Sequence, residues 1–83
     1  MELTEKQKET ILENVKEHLL EEDQHLAPNA LKRIWLLREE YGEFILTNPV
    51  LKNGERCMQF DPETLEWVGI QPLDYVQQYG ELL

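Results

Sequence analysis

Apolar residues recur with helical spacing near the start of the chain. Thr4 and Gln7 have the spacing of a capping box, in which each side chain bonds the other residue's backbone N–H. Downstream, Ile11 and Val15 fall on one side of a helix with about 3.6 residues per turn. The pattern predicts a first helix that begins after Thr4 and runs to about Asp23.

A second apolar stretch follows a connection that contains Pro28. Between residues 30 and 41 the apolar side chains cover one broad side of a helical projection, and Gly42 stands where a helix would end. The pattern therefore predicts a second helix that is antiparallel to the first. Leu20 and Leu36 project from otherwise polar sides of the two helices, which makes each a candidate interface anchor.

After Gly42 the pattern changes to that of β-strands. Residues 43–47, EFILT, are typical of the first part of an edge strand. Asn53-Gly54 has the residue types of a type I′ hairpin turn, and Asp61-Pro62 begins a second turn. Together these features predict a three-stranded antiparallel meander.

The last part of the chain carries a helix start. Pro72 suits a first helical position, and Asp74 in the first turn complements the helix dipole. The predicted fold class is α+β: two N-terminal helices, a three-stranded antiparallel β-meander and a short C-terminal helix. Residues 1–83 are enough for one domain with one core.

The predicted meander has two faces, which we expect to be buried to different extents. If Phe60 and Leu65 flank the second turn, Met58 pairs with Trp67, and Trp67 is largely buried against the helices. The opposite face holds an apolar set that a short C-terminal helix cannot cover completely. We expect a partner to bind this set, which comprises Val50, Cys57, Val68 and Ile70.

The chain is strongly acidic. Seventeen Asp and Glu residues against eight Lys and Arg give a formal net charge of −9, which argues against direct binding to nucleic acid or to an anionic membrane. A charged partner should be basic. Glu9, Glu13 and Glu17 belong to a ladder of carboxylates that recurs every four residues from Glu5 to Glu21. This ladder is either a solvated helix side or an acidic contact surface that imitates phosphates.

Features of catalytic and metal sites are sparse. The chain has no glycine-rich phosphate loop and one Cys, so that it forms no internal disulfide. His18, Glu22 and His25 would share one side of a continuous helix, but a second ligand pair is missing. We therefore expect no enzymatic activity, no cofactor and no metal. Without a long apolar run or a secretory signal pattern, the expected compartment is the cytoplasm.

Two hypotheses for function remain. The first is a small acidic protein-binding module with a regulatory, inhibitory or adaptor role and no catalysis of its own. The second is a phage- or plasmid-type inhibitor that imitates nucleic acid and blocks a DNA- or RNA-handling enzyme, as an anti-restriction or anti-CRISPR protein does. Self-association is compatible with either hypothesis, and binding through carboxylates should weaken more steeply with salt than binding through an apolar face.

Overall fold

The computed structural model describes residues 2–50 and 55–83. It is an α+β structure in which helical segments lie on both faces of one antiparallel sheet. The sheet has five strands in the order β4-β3-β2-β1-β5. In chain order the elements are helix α1 (Glu5–His18), a 3₁₀ segment (Glu21–Leu31), β1 (Ile34–Glu39), β2 (Gly42–Thr47), β3 (Arg56–Phe60), β4 (Trp67–Pro72), helix α2 (Leu73–Tyr79) and β5 (Glu81–Leu82).

Helix α1 begins at the predicted capping box. The backbone N–H of Gln7 donates to the Thr4 hydroxyl at 3.1 Å, and the Thr4 N–H donates to the Gln7 side chain at 2.8 Å. The helix ends at His18 rather than near Asp23. The Gln24 side-chain amide donates to the carbonyl oxygens of Lys16 and Leu19, which satisfies groups that a longer helix would have used. The capping box is confirmed, and the predicted length was wrong.

The predicted second helix does not form. Residues 34–39 are strand β1, which pairs with β2 through a turn at Glu40 and Tyr41. Ile34, Trp35, Leu36 and Leu37 are all buried, because helical segments cover both faces of this strand. A strand that is buried on both faces has a continuous run of apolar residues. On a helical projection the same run forms one broad apolar side, so the pattern fits either structure.

Gly42 has a different role from the one predicted. It opens β2 directly after the turn, with a φ of +144°, a conformation that L side chains rarely adopt. Strand β2 then lies in the middle of the sheet between β1 and β3, so the prediction of an edge strand was wrong. Consecutive antiparallel strands were correctly expected, but residues 2–50 and 55–83 form five strands instead of three. The Asn53-Gly54 turn lies outside the described residues.

The second predicted turn is present. The Asp61 carboxylate accepts from the backbone N–H groups of Glu63 and Thr64 at 2.8 and 3.0 Å. These hydrogen bonds hold the pKa of the Asp61 carboxyl below its ordinary value. Leu65 closes the turn with a φ of 64°, and its N–H donates to the Asp61 carbonyl oxygen at 2.8 Å. The turn is confirmed together with the role of Asp61.

The register after this turn differs from the prediction. Phe60 pairs with Trp67, and Met58 pairs with Ile70, because a bulge inserts one extra residue of β4 opposite β3. The extra residue is Val68. As a result, the faces of β4 beyond the bulge are exchanged: Ile70 lies on the same side of the sheet as Met58, and not on that of Cys57.

The core consists of two apolar clusters, one on each face of the sheet. On the α1 side, α1 and the 3₁₀ segment pack on the sheet, and the buried residues are Ile11, Val15, Ala27, Ala30, Ile34, Leu36, Ile45, Phe60 and Leu65. On the α2 side they are Trp35, Leu37, Leu46, Cys57, Leu73 and Val76. The predicted C-terminal helix is therefore present as α2, and it covers the centre of its face.

Candidate functional site

Strand β4 forms one edge of the sheet and exposes apolar side chains. Trp67, Val68 and Ile70 are 37%, 48% and 47% exposed. The strand sequence, WVGIQP, contains no charged residue, although charged side chains are a common protection of exposed strand edges. We call Trp67, Val68 and Ile70 the β4 surface. The opposite edge, β5, is only two residues long.

The hydrogen-bond pattern shows which backbone groups of β4 face outward. The Leu73 N–H donates to the Glu55 carbonyl oxygen at 3.0 Å, so that these directly opposed residues form a hydrogen-bonded pair. Such pairs alternate along an antiparallel ladder, which turns the N–H and C=O of Ile70 away from β3. Asp61 and Glu66 form the corresponding hydrogen-bonded pair before the bulge. The N–H and C=O of Trp67, the next residue, therefore also point away from β3.

Trp67 of the β4 surface lies beside the end of α1. Trp67 stacks on His18, with ring centroids 4.6 Å apart and ring planes 19° apart. One turn earlier on α1, the Asn14 side chain donates to the Leu65 carbonyl oxygen. Trp67 was predicted to be largely buried against the second helix, which was wrong. Trp67 lies on the edge strand of the sheet, beside the last turn of α1.

Exposed carboxylates lie near this region. Asn14 and His18 mark the side of α1 that faces β4, and on a helical projection Glu17 lies next to that side, whereas Glu13 lies about 100° from Asn14 and points away from it. Both are exposed, as is Glu66 immediately before β4. Arg56 is the positively charged residue of the neighbouring strand β3, and it lies opposite Pro72 at the far end of β4. The β4 surface therefore combines apolar side chains with a predominantly acidic margin.

The structure separates the residues that were predicted to bind a partner. Cys57 is fully buried beneath α2, and Leu36 is 2% exposed within β1, so neither can lie on a contact surface of this fold. Val50 is half-buried after β2. Val68 and Ile70 are exposed, but Ile70 is on the α1 side of the sheet, because the bulge shifts the register. The predicted single face was therefore wrong.

The remaining predicted residues are exposed. Leu20 is 65% exposed, and Glu9, Glu13 and Glu17 lie along α1. Glu21 leaves the carboxylate ladder because α1 ends at His18. For the same reason His18, Glu22 and His25 do not share one continuous helix. No group of three metal-ligating side chains occurs within residues 2–50 and 55–83.

Sequence reasoning missed Trp67 as a surface residue. An indole in a strand next to a turn was assigned to the core because Trp buries a large area wherever it packs. The available signal was the absence of charge along β4, which is unusual for a strand that borders solvent.

An open cavity of about 330 Å³ lies between the start of the chain and β1. It is lined by Glu2, Leu3, Lys8, Leu31, Lys32, Ile34 and Leu83. Its lining therefore combines four apolar residues with one Glu and two Lys.

Burial of Cys57 has a measurable chemical consequence. Desolvation raises the pKa of its thiol to about 11, against a smaller opposing effect of the Arg33 charge. We expect the native thiol to react with a disulfide reagent at pH 8 at least about 100-fold more slowly than the urea-unfolded chain, since the thiolate is the reactive form. Absorbance of the released thiolate measures both rates. A native rate equal to that of free glutathione would contradict the covering of Cys57 by α2.

Comparison of the chain with protein-family models, with curated proteins and with solved structures finds no match in any of the three. Across the described ranges, no helix has both the length and the apolar character that crossing a membrane requires.

Proposed function

We propose that this chain is a small acidic protein-binding module that acts in the cytoplasm, and that it contacts its partner through the β4 surface. Its role is regulatory, inhibitory or adaptor-like, without catalysis of its own. The observation that carries the proposal is the exposure of Trp67, Val68 and Ile70 along an edge strand without charge. Adjacent exposed apolar side chains in a small domain are typical of interaction sites.

The composition of the β4 surface supports this choice. Trp is enriched among the residues that contribute most to binding energy, and Ile70 beside it supplies further apolar area. The stack of His18 on Trp67 holds the indole in one orientation before a partner arrives. A side chain that is already ordered loses less conformational entropy on binding.

A second candidate function rests on α1. Glu5, Glu9, Glu13 and Glu17 are all exposed, and four-residue steps place successive carboxylates about 6 Å apart along the helix axis. Such a row could occupy the nucleic-acid site of a DNA- or RNA-handling enzyme. Lys8 pairs with Glu5 at 3.6 Å and Lys16 lies near the row, which reduces its field. We therefore rank this candidate second.

Affinity capture with matched variants tests the proposal. We expect Ile70→Asp to lose the partner that the parent chain captures, because it places an unpaired charge in an apolar interface. Reversal of Glu9 and Glu13 to Lys should retain that partner, because on a helical projection both point away from the side of α1 that faces β4. Leu82→Asp is the control, since Leu82 is 59% exposed on the opposite edge strand. The amounts bound are compared by quantitative mass spectrometry.

The opposite result has an equally clear meaning. Loss of the partner in the double Lys variant together with retention in Ile70→Asp would refute the proposal in favour of the acidic α1 surface, and capture should then weaken steeply with salt. Retention in both variants would exclude both surfaces and direct attention to Leu20. Circular dichroism of each variant establishes that it is folded.

A further inference from the structure

We infer that the partner segment which binds the β4 surface is a cationic amphipathic helix, seated on the sheet beside α1. This inference rests on the proposed function and specifies the chemistry of the partner.

The edge of β4 is poorly suited to an added strand. A regular added strand requires outward N–H and C=O groups at every second residue. On β4 the outward residues Trp67 and Ile70 are three positions apart, because the bulge inserts Val68 between them. Pro72, at the next outward position, has no N–H to donate. The partner therefore gains little from the backbone of this edge and must use the side chains.

The α1 side of the sheet leaves room for a helix over β4. The buried cluster on that side joins α1 and the 3₁₀ segment to β1, β2 and β3, through residues such as Ile11, Ile45 and Phe60. Ile70 lies on the same side and remains 47% exposed, opposite half-buried Met58. Two strands span roughly 10 Å, which matches the diameter of one helix with its side chains. One further helix beside α1 would fit this space.

The negative charges near this space favour a partner helix that is positively charged. Glu17 lies next to the β4-facing side of α1, and Glu66 precedes β4. Lys or Arg on the margins of a docked helix would meet these carboxylates while its apolar side covers Ile70 and Trp67. A second copy of this chain is a poor occupant, because its own margin is acidic and its net charge is −9.

Model peptides test the inference with the full chain. Two peptides of about 14 residues contain equal numbers of Leu and Lys. In one, Leu follows the helical spacing; in the other, Leu and Lys alternate with the strand period. A third peptide keeps the helical spacing and has Glu in place of Lys. We expect the helical Leu/Lys peptide to bind at least about tenfold more tightly than either of the others by titration calorimetry.

Two variants test whether the peptide binds at the β4 surface. Each replaces one exposed apolar side chain by Asn, on opposite edges of the sheet. Ile70→Asn should weaken binding of the helical Leu/Lys peptide at least about tenfold, whereas Leu82→Asn should leave it unchanged, since Leu82 lies on the opposite edge. Neither substitution changes the net charge. A non-specific attraction of the cationic peptide to the acidic chain would therefore affect both variants alike. Backbone amide shifts of β4 and of α1 residues near Asn14 locate the peptide.

Each other outcome overturns the inference. Tighter binding of the alternating peptide that depends on Ile70 would mean strand addition, and the protein-binding function would still stand. Equal binding of the Glu peptide would refute the charge argument. Insensitivity to Ile70→Asn would place the helix elsewhere, while the capture experiment judges the proposed function separately. A dimer seen by sedimentation, and abolished by Ile70→Asn, would make a second copy the occupant.

Discussion

Replacement of Phe60 by Ala is expected to lower the free energy of unfolding by about 3 to 5 kcal/mol. Phe60 is fully buried, and it lies in the cluster that joins α1 to the sheet. It also pairs with Ile45 on β2 and with Trp67 on β4. Truncation removes the ring's packing and leaves a cavity beneath α1. Domains have a total stability of about 5 to 15 kcal/mol, so the variant should be marginally folded or unfolded.

The chain supplies a matched control for this variant. Phe44, the other Phe, is half-buried at the margin of the α2-side cluster, so Phe44→Ala should cost clearly less. Urea unfolding followed by circular dichroism measures both variants. Phe60→Leu retains part of the volume and keeps the transition measurable if the Ala variant does not fold. A cost for Phe60→Ala below about 1 kcal/mol would contradict its position at the centre of the core.

Replacement of Gly80 by Ala should be the second damaging substitution. A Cβ at Gly80 would lie 2.5 Å from the Val76 carbonyl oxygen and 3.2 Å from Cβ of Trp35. The first of these neighbours is backbone of α2, so the backbone at the junction between α2 and β5 must shift. We expect the free energy of unfolding to fall by about 1 to 3 kcal/mol, which is typical of overpacking. Hydrogen exchange at the Leu83 N–H, which donates to the Ile34 carbonyl oxygen at 2.8 Å, should become faster.

Gly69 provides the comparison for Gly80. A Cβ at Gly69 would meet nothing within 4 Å, so Gly69→Ala should leave stability unchanged or raise it slightly by restricting the unfolded chain. Equal changes in the thermal unfolding temperature for the two substitutions would show that the close contact between Gly80 and Val76 does not make Gly80→Ala more destabilising. Arg38 pairs with Glu81 at 2.8 Å on the surface, and this exposed pair should not offset the strain.

Local signals in the sequence predicted the parts of the fold that local interactions determine. The capping box at Thr4, the turn at Asp61 and the short helix after Pro72 each depend on side chains within a few residues. The predicted second helix failed because the run from Ile34 to Leu37 fits a strand covered on both faces as well as it fits a helix. Only the packing of distant segments decides between them.

The candidate site was predictable only in part. Exposure of Val68 and Ile70 was expected, but the face of Ile70 depends on a one-residue bulge that follows the left-handed backbone at Leu65. No pattern in the sequence marks a bulge at this point. The burial of Cys57 follows from the same register together with the placement of α2, which depends on the whole sheet.

The strand order has a consequence for how the chain folds. Strands β1 to β4 are neighbours in sequence and in space, so each pairing closes a short loop. The pairing of β5 with β1 joins Glu81 to Leu36, about 45 residues apart, and the connection crosses the sheet through α2. Closing this long loop costs more entropy and raises the contact order of the chain. The hairpins should therefore assemble first, and the α2-side cluster should be completed last, when β5 reaches the far edge.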